Sequence, residues 1–338
     1  MTKIAIVGAT GIVGSTFLKV LEEKKINECK YTLFASKKSK GKCIKFMNKK
    51  YIVEEITYDS FKKEKFDYAL FSAGAKTSKE FAPIAASTGC IVIDNSSYFR
   101  MDKNVPLVVP QVNKEMIFKN NGIIANPNCS TIQAVIPLKI LHDNYKIKRI
   151  IYSTYQAVSG AGIRGIEDLE NKKNWKKPKN FLYPIHNNCL PQIDTFMEND
   201  YTKEEMKMIE ETKKILDDTT LNITATAVRV PVKNCHCESI NIEFENEFNL
   251  DELKQLLNKK NGIVVLDDIN KEIYPIPTFV DGKDEVFIGR IRRDYSIKNG
   301  LNMWVVADNI RKGAATNAVE ILEELLNNRK RSIKLRFF

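Results

Sequence analysis

The chain has 338 residues, 43% of them hydrophobic and 28% charged, with a formal net charge of +11. That length exceeds what one small core can use, and the composition excludes a disordered chain. No apolar run approaches the roughly 20 residues needed to span a bilayer as a helix, which excludes a helical membrane protein.

In chain order, Lys3-Ile4-Ala5-Ile6-Val7 is a short apolar run ending in glycine, which predicts a buried parallel strand. Gly8-Ala9-Thr10-Gly11-Ile12-Val13-Gly14 follows, and Phe17, Leu18 and Leu21 then recur at helical spacing. Residues 31–35 and 67–72 predict the next two strands, with further short ones at 90–94, 107–109 and 123–125. Helical segments are expected around 79–88 and 113–119. Such alternation implies a doubly wound sheet. Beyond residue 128 the texture changes. The strands at 149–157, 224–232, 239–244 and 302–306 are longer and β-branched, interleaved with helices near 162–172, 203–216 and 250–258. The expectation is an α/β chain. A Rossmann-like N-terminal domain of residues 1–127 is completed by a C-terminal helix within 310–330, and residues 128–309 form an α+β domain on a mostly antiparallel sheet.

The 53 Lys and Arg residues are spread along the whole chain, including Lys37-Lys38-Ser39-Lys40 and Lys172-Lys173, and no nucleic-acid-binding signature accompanies them. A lysine-rich surface is expected, with no nucleic-acid or membrane partner. Seven scattered cysteines, an odd number, read as a reduced set in a cytoplasmic protein. The first residues run straight into a strand, without the features of a leader. Cys235-His236-Cys237 has no second ligand pair at finger spacing, so no metal is expected.

The glycine turn lets backbone N–H groups approach a pyrophosphate at a helix N-terminus, which places Gly8 and Gly11 against a nucleotide. The second strand ends at Ala35-Ser36-Lys37-Lys38-Ser39. An acid here would bind a ribose 2′-hydroxyl. Ser36, Lys38 and Ser39 instead suit a 2′-phosphate, so NADP is expected over NAD.

Asn126-Pro127-Asn128-Cys129-Ser130-Thr131 joins a short strand to a helix beginning near Ser130. Cys129 at that helix N-terminus is favoured as a thiolate, and the same N–H groups suit an oxyanion. Of the three histidines, His142 ends the same helix and His236 is expected in a loop beyond the strand ending at 232. By elimination His236 is the partner of Cys129, its neutral imidazole taking a proton from the thiol or hemithioacetal.

These residues together resemble aspartate-semialdehyde dehydrogenase over essentially the whole chain. The matching segments are Gly8–Gly14, Phe71–Gly74, Asp94–Ser97, Arg100-Met101, Asn126–Thr131, Tyr155–Gly160, Tyr183–Ile185, Glu204–Lys207, Glu211-Thr212-x-Lys214, Arg229–Val232, His236-x-Glu238-Ser239 and Asp308–Ala315. The resemblance implies NADPH-dependent reductive dephosphorylation of L-4-aspartyl phosphate to aspartate 4-semialdehyde, in lysine, threonine and methionine biosynthesis. It implies an acyl-thioester on Cys129, His236 as acid/base, and Gln156 orienting the thioester carbonyl. Arg229 would bind the substrate carboxylate and Glu211 its amino group. Arg100 and Lys214 would hold the phosphate, with Asn128 also in the substrate site. Thr10, Gly11, Ile12, Val13, Lys38, Ser39, Ser159, Gly160 and Asn309 would contact NADP. The subunits would form a homodimer or homotetramer. Unaided by the resemblance, Glu211 and Lys214 read as an exposed helical ion pair, and Arg229 as a surface strand arginine. The nearest alternative is N-acetyl-gamma-glutamyl-phosphate reductase, whose nucleophile typically follows Pro-Gly and whose capped substrate does not need Glu211. The family usually places small residues around the histidine, where this chain has Cys235 and Cys237.

Overall fold

The computed structural model describes residues 1–170 and 178–334. Lys172-Lys173 and the expected helical residues 171–172 lie outside the described residues. The chain divides into two compact units. One is Met1–Pro127 together with the chain from Ala314 onward, and the other is Asn128–Gly313.

The first unit opens with β1 (Thr2–Val7), α1 (Ile12–Glu23) and β2 (Cys29–Ala35), followed by a hairpin of β3 (Cys43–Phe46) and β4 (Lys49–Ile52). Then come β5 (Glu54–Glu55), α2 (Ser60–Lys63), β6 (Tyr68–Phe71), α3 (Ala75–Ser87), β7 (Ile91–Asp94), α4 (Pro110–Asn113) and β8 (Ile123–Ala125). Six strands form one parallel sheet in the order β5-β2-β1-β6-β7-β8. Strands buried on both faces read as continuous apolar runs, and Ile4, Ala5, Ile6 and Val7 are all wholly buried. The strand order reverses between β1 and β6, the place where an open α/β sheet leaves a crevice at its strand ends. The C-terminal helix (Asn317–Lys334) contributes Ala318, Val319, Ile321, Leu322 and Leu325 to the same core as Ile4, Phe17 and Leu21.

The second unit runs α5 (Cys129–Tyr145), β9 (Ile147–Gln156), α6 (Ile163–Glu170), α7 (Lys203–Leu216), β10 (Asn222–Arg229), β11 (His236–Phe244), α8 (Leu250–Asn258), β12 (Ile263–Val265), α9 (Pro277–Val280), β13 (Val286–Asp294) and β14 (Gly300–Ala307). Its sheet order is β10-β9-β11-β14-β13-β12. The three central pairings are antiparallel and the two outer ones parallel. One face is buried under α5, α7 and α8. The other carries Tyr155 and Thr226, exposed, with Ser153, Val228, Asn241 and Trp304 half-buried.

Three expectations need correction. Residues 107–109 are not a strand, because Pro106 and Pro110 bracket them and only Leu107 pairs, as a bridge to Ala125. His236 is the first residue of β11, not a loop residue. The return to the first unit begins at Ala314, within a π-helical turn over Arg311–Thr316, not at 310. Strand β13 and the β3–β4 hairpin were not anticipated.

Gly14 sits in the first turn of α1, where an added Cβ would overlap the carbonyl of Gly8, while one on Gly11 would make an ordinary contact at 3.4 Å. Gly14→Ala should therefore lower stability by about 1–3 kcal/mol, as overpacking does. Gly11→Ala should leave the melting temperature nearly unchanged, and thermal denaturation of the two variants checks the contrast.

Candidate active site

In the first unit the turn after β1 is shaped by Gly8, whose φ of +88° and whose close approach to the Ser72 backbone admit no side chain. The N–H groups of Gly8 and Ala9 donate to Phe34 O, at 2.9 and 3.1 Å, which ties the turn to the end of β2. Gly11 caps α1 without any side-chain acceptor, and the first turn carries no acid. The first N–H groups of α1 are thus available to an anion, with Ile12 and Val13 half-buried beside them. Ser36, Lys37 and Lys38 are exposed at the end of β2, and buried Ser39 accepts from the Thr10 hydroxyl at 3.2 Å. A turn no side chain could enter, followed by hydroxyls and lysines without an acid, fits a dinucleotide bearing a 2′-phosphate. Arg100 also belongs to this unit. It is 8% exposed, and its Nη2 donates to Asn95 O at 3.1 Å.

In the second unit Cys129 is the first residue of α5, and Asn128 is its N-cap. Asn128 Oδ1 accepts from the N–H groups of Ser130 (3.0 Å) and Thr131 (3.4 Å), and its Nδ2 donates to Glu204 Oε1 at 2.9 Å. The Asn128 N–H donates to Glu211 Oε2 at 2.6 Å. The cap is thus held on three sides, and the thiol has its place at the positive end of the helix. Glu211 is 1% exposed and is not the exposed helical ion-pair residue its spacing with Lys214 suggests. Lys214, one turn on, is half-buried.

Ala157, just past β9, anchors two of the expected residues through its backbone. Its N–H donates to His236 Nδ1 at 3.0 Å, and its carbonyl accepts from Arg229 Nη1 at 2.5 Å. Arg229 ends β10 directly opposite Gln156, and both are buried. Gln156 Nε2 donates to Thr154 Oγ1 and to Glu204 Oε1, each at 3.3 Å. Gly160 lies against the same pair. A Cβ there would come 2.9 Å from Arg229 Nη1 and 3.3 Å from His236 Nε2. Burial lowers the pKa of Arg229 from its ordinary value, while the negative charges of Glu204 and Cys129 oppose that shift. Burial, and then Arg229, push the imidazole of His236 well below the usual range, so it is neutral.

Two further carboxyls lie in this core. Glu238 is wholly buried, and neither of its oxygens has a hydrogen-bond partner in the chain. Burial, and then the charge of Glu204, raise it well above the carboxylate range. Burial alone would raise Glu204 too, but Lys207, the Asn128 amide, Arg229 and the Gln156 amide outweigh it and hold Glu204 ionised. Ser130 Oγ, Thr131 Oγ1, Gln133 Oε1, Arg229 Nε and His236 Nε2 are likewise buried without partners in the chain. So many unsatisfied atoms around one cysteine mark a polar chamber built for something besides the chain itself.

Ser159 and Asn309 bond each other, with Asn309 Nδ2 donating to Ser159 Oγ at 3.0 Å, and Asn309 Oδ1 accepts from the Cys235 N–H at 2.9 Å. Cys235, Asp281 and Asp308 each bring one metal-capable atom within 4.8 Å of the others. The Asp308 carboxylate, however, already accepts from the N–H groups of Gly282, Ile310 and Arg311, so it serves as a loop anchor. Burial pushes the Cys237 thiol up to about 12 and raises Cys235 too, so neither is a thiolate.

The second unit therefore brings together Cys129, Asn128, Gln156, Glu211, Arg229, His236 and Gly160. The first unit holds Arg100 and the residues of the glycine turn. Glu204 and Glu238 were assigned no role from sequence. Glu204 looks like an ordinary first-turn acid beside the capping box of Thr202 and Glu205. Glu238 had a readable signal, since it shares the inward phase of β11 with Ile240, Ile242 and Phe244.

The family profile of the semialdehyde dehydrogenase NAD binding domain matches residues 3–120, and that of the semialdehyde dehydrogenase dimerisation domain matches residues 138–312. An aspartate-semialdehyde dehydrogenase of Aquifex aeolicus is 52% identical over 334 residues, covering 96% of this chain and 98% of its own. The crystal structure of aspartate semialdehyde dehydrogenase II complexed with ASA from Vibrio cholerae superposes with a TM-score of 0.92 at 43% identity, covering 97% of this chain and 98% of that one. An aspartate semialdehyde dehydrogenase with NADP from Candida albicans gives 0.76 at 28% identity, covering 96% and 98%.

Glu238 is neutral in the fold and ionised in the unfolded chain at neutral pH, so folding takes up a proton there. Its contribution to stability is present in full below its ordinary value of 4.5 and is lost as pH rises towards the elevated folded value. Glu238→Gln removes that linkage. The variant should melt above the wild type at pH 8, with the gap narrowing at pH 5.5. Melting curves at the two pH values check it.

Proposed function

Because this chain belongs to the aspartate-semialdehyde dehydrogenase family, we propose that it reduces L-4-aspartyl phosphate to L-aspartate 4-semialdehyde with NADPH, in lysine, threonine and methionine biosynthesis. The observation that carries the reading is the capped helix start of Cys129, with buried Arg229 electrostatically coupled to the sulfur. A thiolate in that position attacks the acyl carbon, and collapse of the tetrahedral state expels phosphate and leaves a thioester. NADPH, when bound, supplies the hydride that takes the thioester to the aldehyde. Gly8, Thr10, Gly11, Ile12 and Val13 would hold its pyrophosphate, and Ser36, Lys38 and Ser39 its 2′-phosphate. Ser159, Gly160 and Asn309 would meet the rest of the cofactor.

Arg229 and Glu211 would take the substrate carboxylate and ammonium. Arg100 and Lys214 would take the phosphate, Gln156 would orient the acyl group, and His236 would serve its carbonyl oxygen. A capped amine would leave Glu211 as a buried charge without its counter-ion, which favours the free amino acid over the N-acetylated alternative. The outer face of the second sheet, where the rings of Tyr155 and Trp304 lie 5.5 Å apart, suits a homodimer contact. Seven free thiols suit the cytoplasm. Among the described residues no helix is long and apolar enough to cross a membrane.

The test is the reverse reaction, assayed with aspartate semialdehyde, phosphate and NADP against the N-acetylated glutamate analogue. Turnover should require the free amine and be abolished by Cys129→Ala, with NADP affinity kept within a few-fold. Preference for the capped substrate would overturn the assignment. Arg229→Lys keeps the charge but loses the planar two-point fork, so kcat/KM should fall by about 10- to 100-fold. NADP should exceed NAD by at least about 10-fold in kcat/KM, the scale of one charge-assisted contact, and neutralising Lys38 should shrink that margin.

A further inference from the structure

We infer that His236 acts only as a hydrogen-bond donor, through an Nε2–H fixed by the backbone of Ala157, and never as the base that activates Cys129. The inference rests on the thioester reading above and narrows the role of one residue within it.

The tautomer follows from one contact. A backbone N–H can only donate, and the N–H of Ala157 lies 3.0 Å from His236 Nδ1, so Nδ1 must present its lone pair. A neutral imidazole then carries its single proton on Nε2. Nε2 is buried and has no partner in the chain, which leaves this N–H for a substrate atom. To work as a base at Nε2, the ring would have to move its proton to Nδ1, against the Ala157 N–H. To become an imidazolium it would face the same opposed N–H and a neighbouring cation. The charged groups around it are Arg229 at the end of β10, Cys129 at the start of α5 and Glu204 on α7, with neutral Glu238 on its own strand. Ala157 cannot easily turn away, because its carbonyl is held by Arg229 and the next N–H, of Val158, donates to Val232 O at 2.9 Å.

The chemistry does not call for a base once the sulfur is a thiolate. Attack forms the C–S bond and moves the carbonyl electrons onto oxygen. Their return breaks the C–O bond to phosphate, which leaves as the anion. The thioester carbon then accepts a hydride from the bound cofactor, oxygen again takes the negative charge, and collapse breaks the C–S bond. The products are the aldehyde and the original thiolate. No proton is gained or lost at sulfur, carbon or carbonyl oxygen in either half. Both halves do pass through an oxyanion, and a neutral N–H donor can stabilise each without surrendering its proton.

Nitrogen-15 histidine NMR of the NADP-bound wild type tests the tautomer independently of turnover. There are only three histidines, and the His236→Gln variant identifies the signals of His236 by their loss. The Nε2–H neutral pattern, unchanged between pH 6 and pH 8.5, is expected. An Nδ1–H pattern, or a titrating imidazolium in that range, overturns the inference. The variants supply the second arm, since a Gln amide places an N–H near Nε2 but cannot act as a base. His236→Ala should cost about 100- to 1,000-fold in kcat, the scale of one oxyanion donor, and His236→Gln should recover at least about 10-fold of it. A folded His236→Gln variant no better than His236→Ala overturns the donor role. Cys129→Ala separates the two readings. If it keeps its turnover the thioester reading fails, whereas the NMR pattern of His236 bears on the tautomer alone.

Discussion

The second unit depends on one residue that has no functional side chain. Ala157 gives its N–H to His236 and its carbonyl to Arg229, so an imidazole on β11 and a guanidinium on β10 are positioned by the same point on the chain leaving β9. A backbone group makes a good jig because it cannot rotate, ionise or choose between donor and acceptor. It fixes the hydrogen-bonding sense of whatever meets it. The two side chains it holds are buried, where a wrongly directed polar atom costs most. Gly160 completes the arrangement by leaving room for both.

Around that point the core uses electrostatics more than packing. Two glutamates share one buried region and take opposite states. Glu204 is ionised because Lys207, Asn128, Arg229 and Gln156 surround it, and Glu238 is neutral because it has none of them. The ionised one orients the amides of Asn128 and Gln156 and helps keep Arg229 charged. The helix cap at Cys129, the strand end at Gln156 and the cation at Arg229 are thus coupled through a side chain that does not itself face the sulfur. Such a network specifies one arrangement, and its members cannot be exchanged singly without leaving a buried charge alone.

What the sequence made legible follows from where the information is local. The apolar runs of β1, β2 and β6, the glycine turn, and the helices at 203–216 and 250–258 are short-range patterns, and the elements lie at or near those positions. Cys129 at a helix start was legible for the same reason. Residues 107–109 misled because two flanking prolines leave an apolar stretch extended without letting it pair. Strand β13 was hidden by Gly289 and by arginines at 290, 292 and 293, and the β3–β4 hairpin by its lysines. His236 was read as a loop residue because Cys235 and Cys237 drew attention away from the alternation that begins at 236. Ala157 could not be found at all, since a role carried by backbone atoms leaves no mark on residue type.

The first unit is assembled from both ends of the chain, with the second unit inserted between them. On the ribosome this imposes an order. Residues 1–127 emerge early yet lack Ala318, Val319, Ile321, Leu322 and Leu325, which are core residues of their own sheet. The inserted segment has all its strands in hand before those residues are translated, so it can fold while the older segment waits with apolar surface uncovered. The half that is made first is the half that is finished last, and its exposure to chaperones and proteases lasts as long as synthesis of the half between.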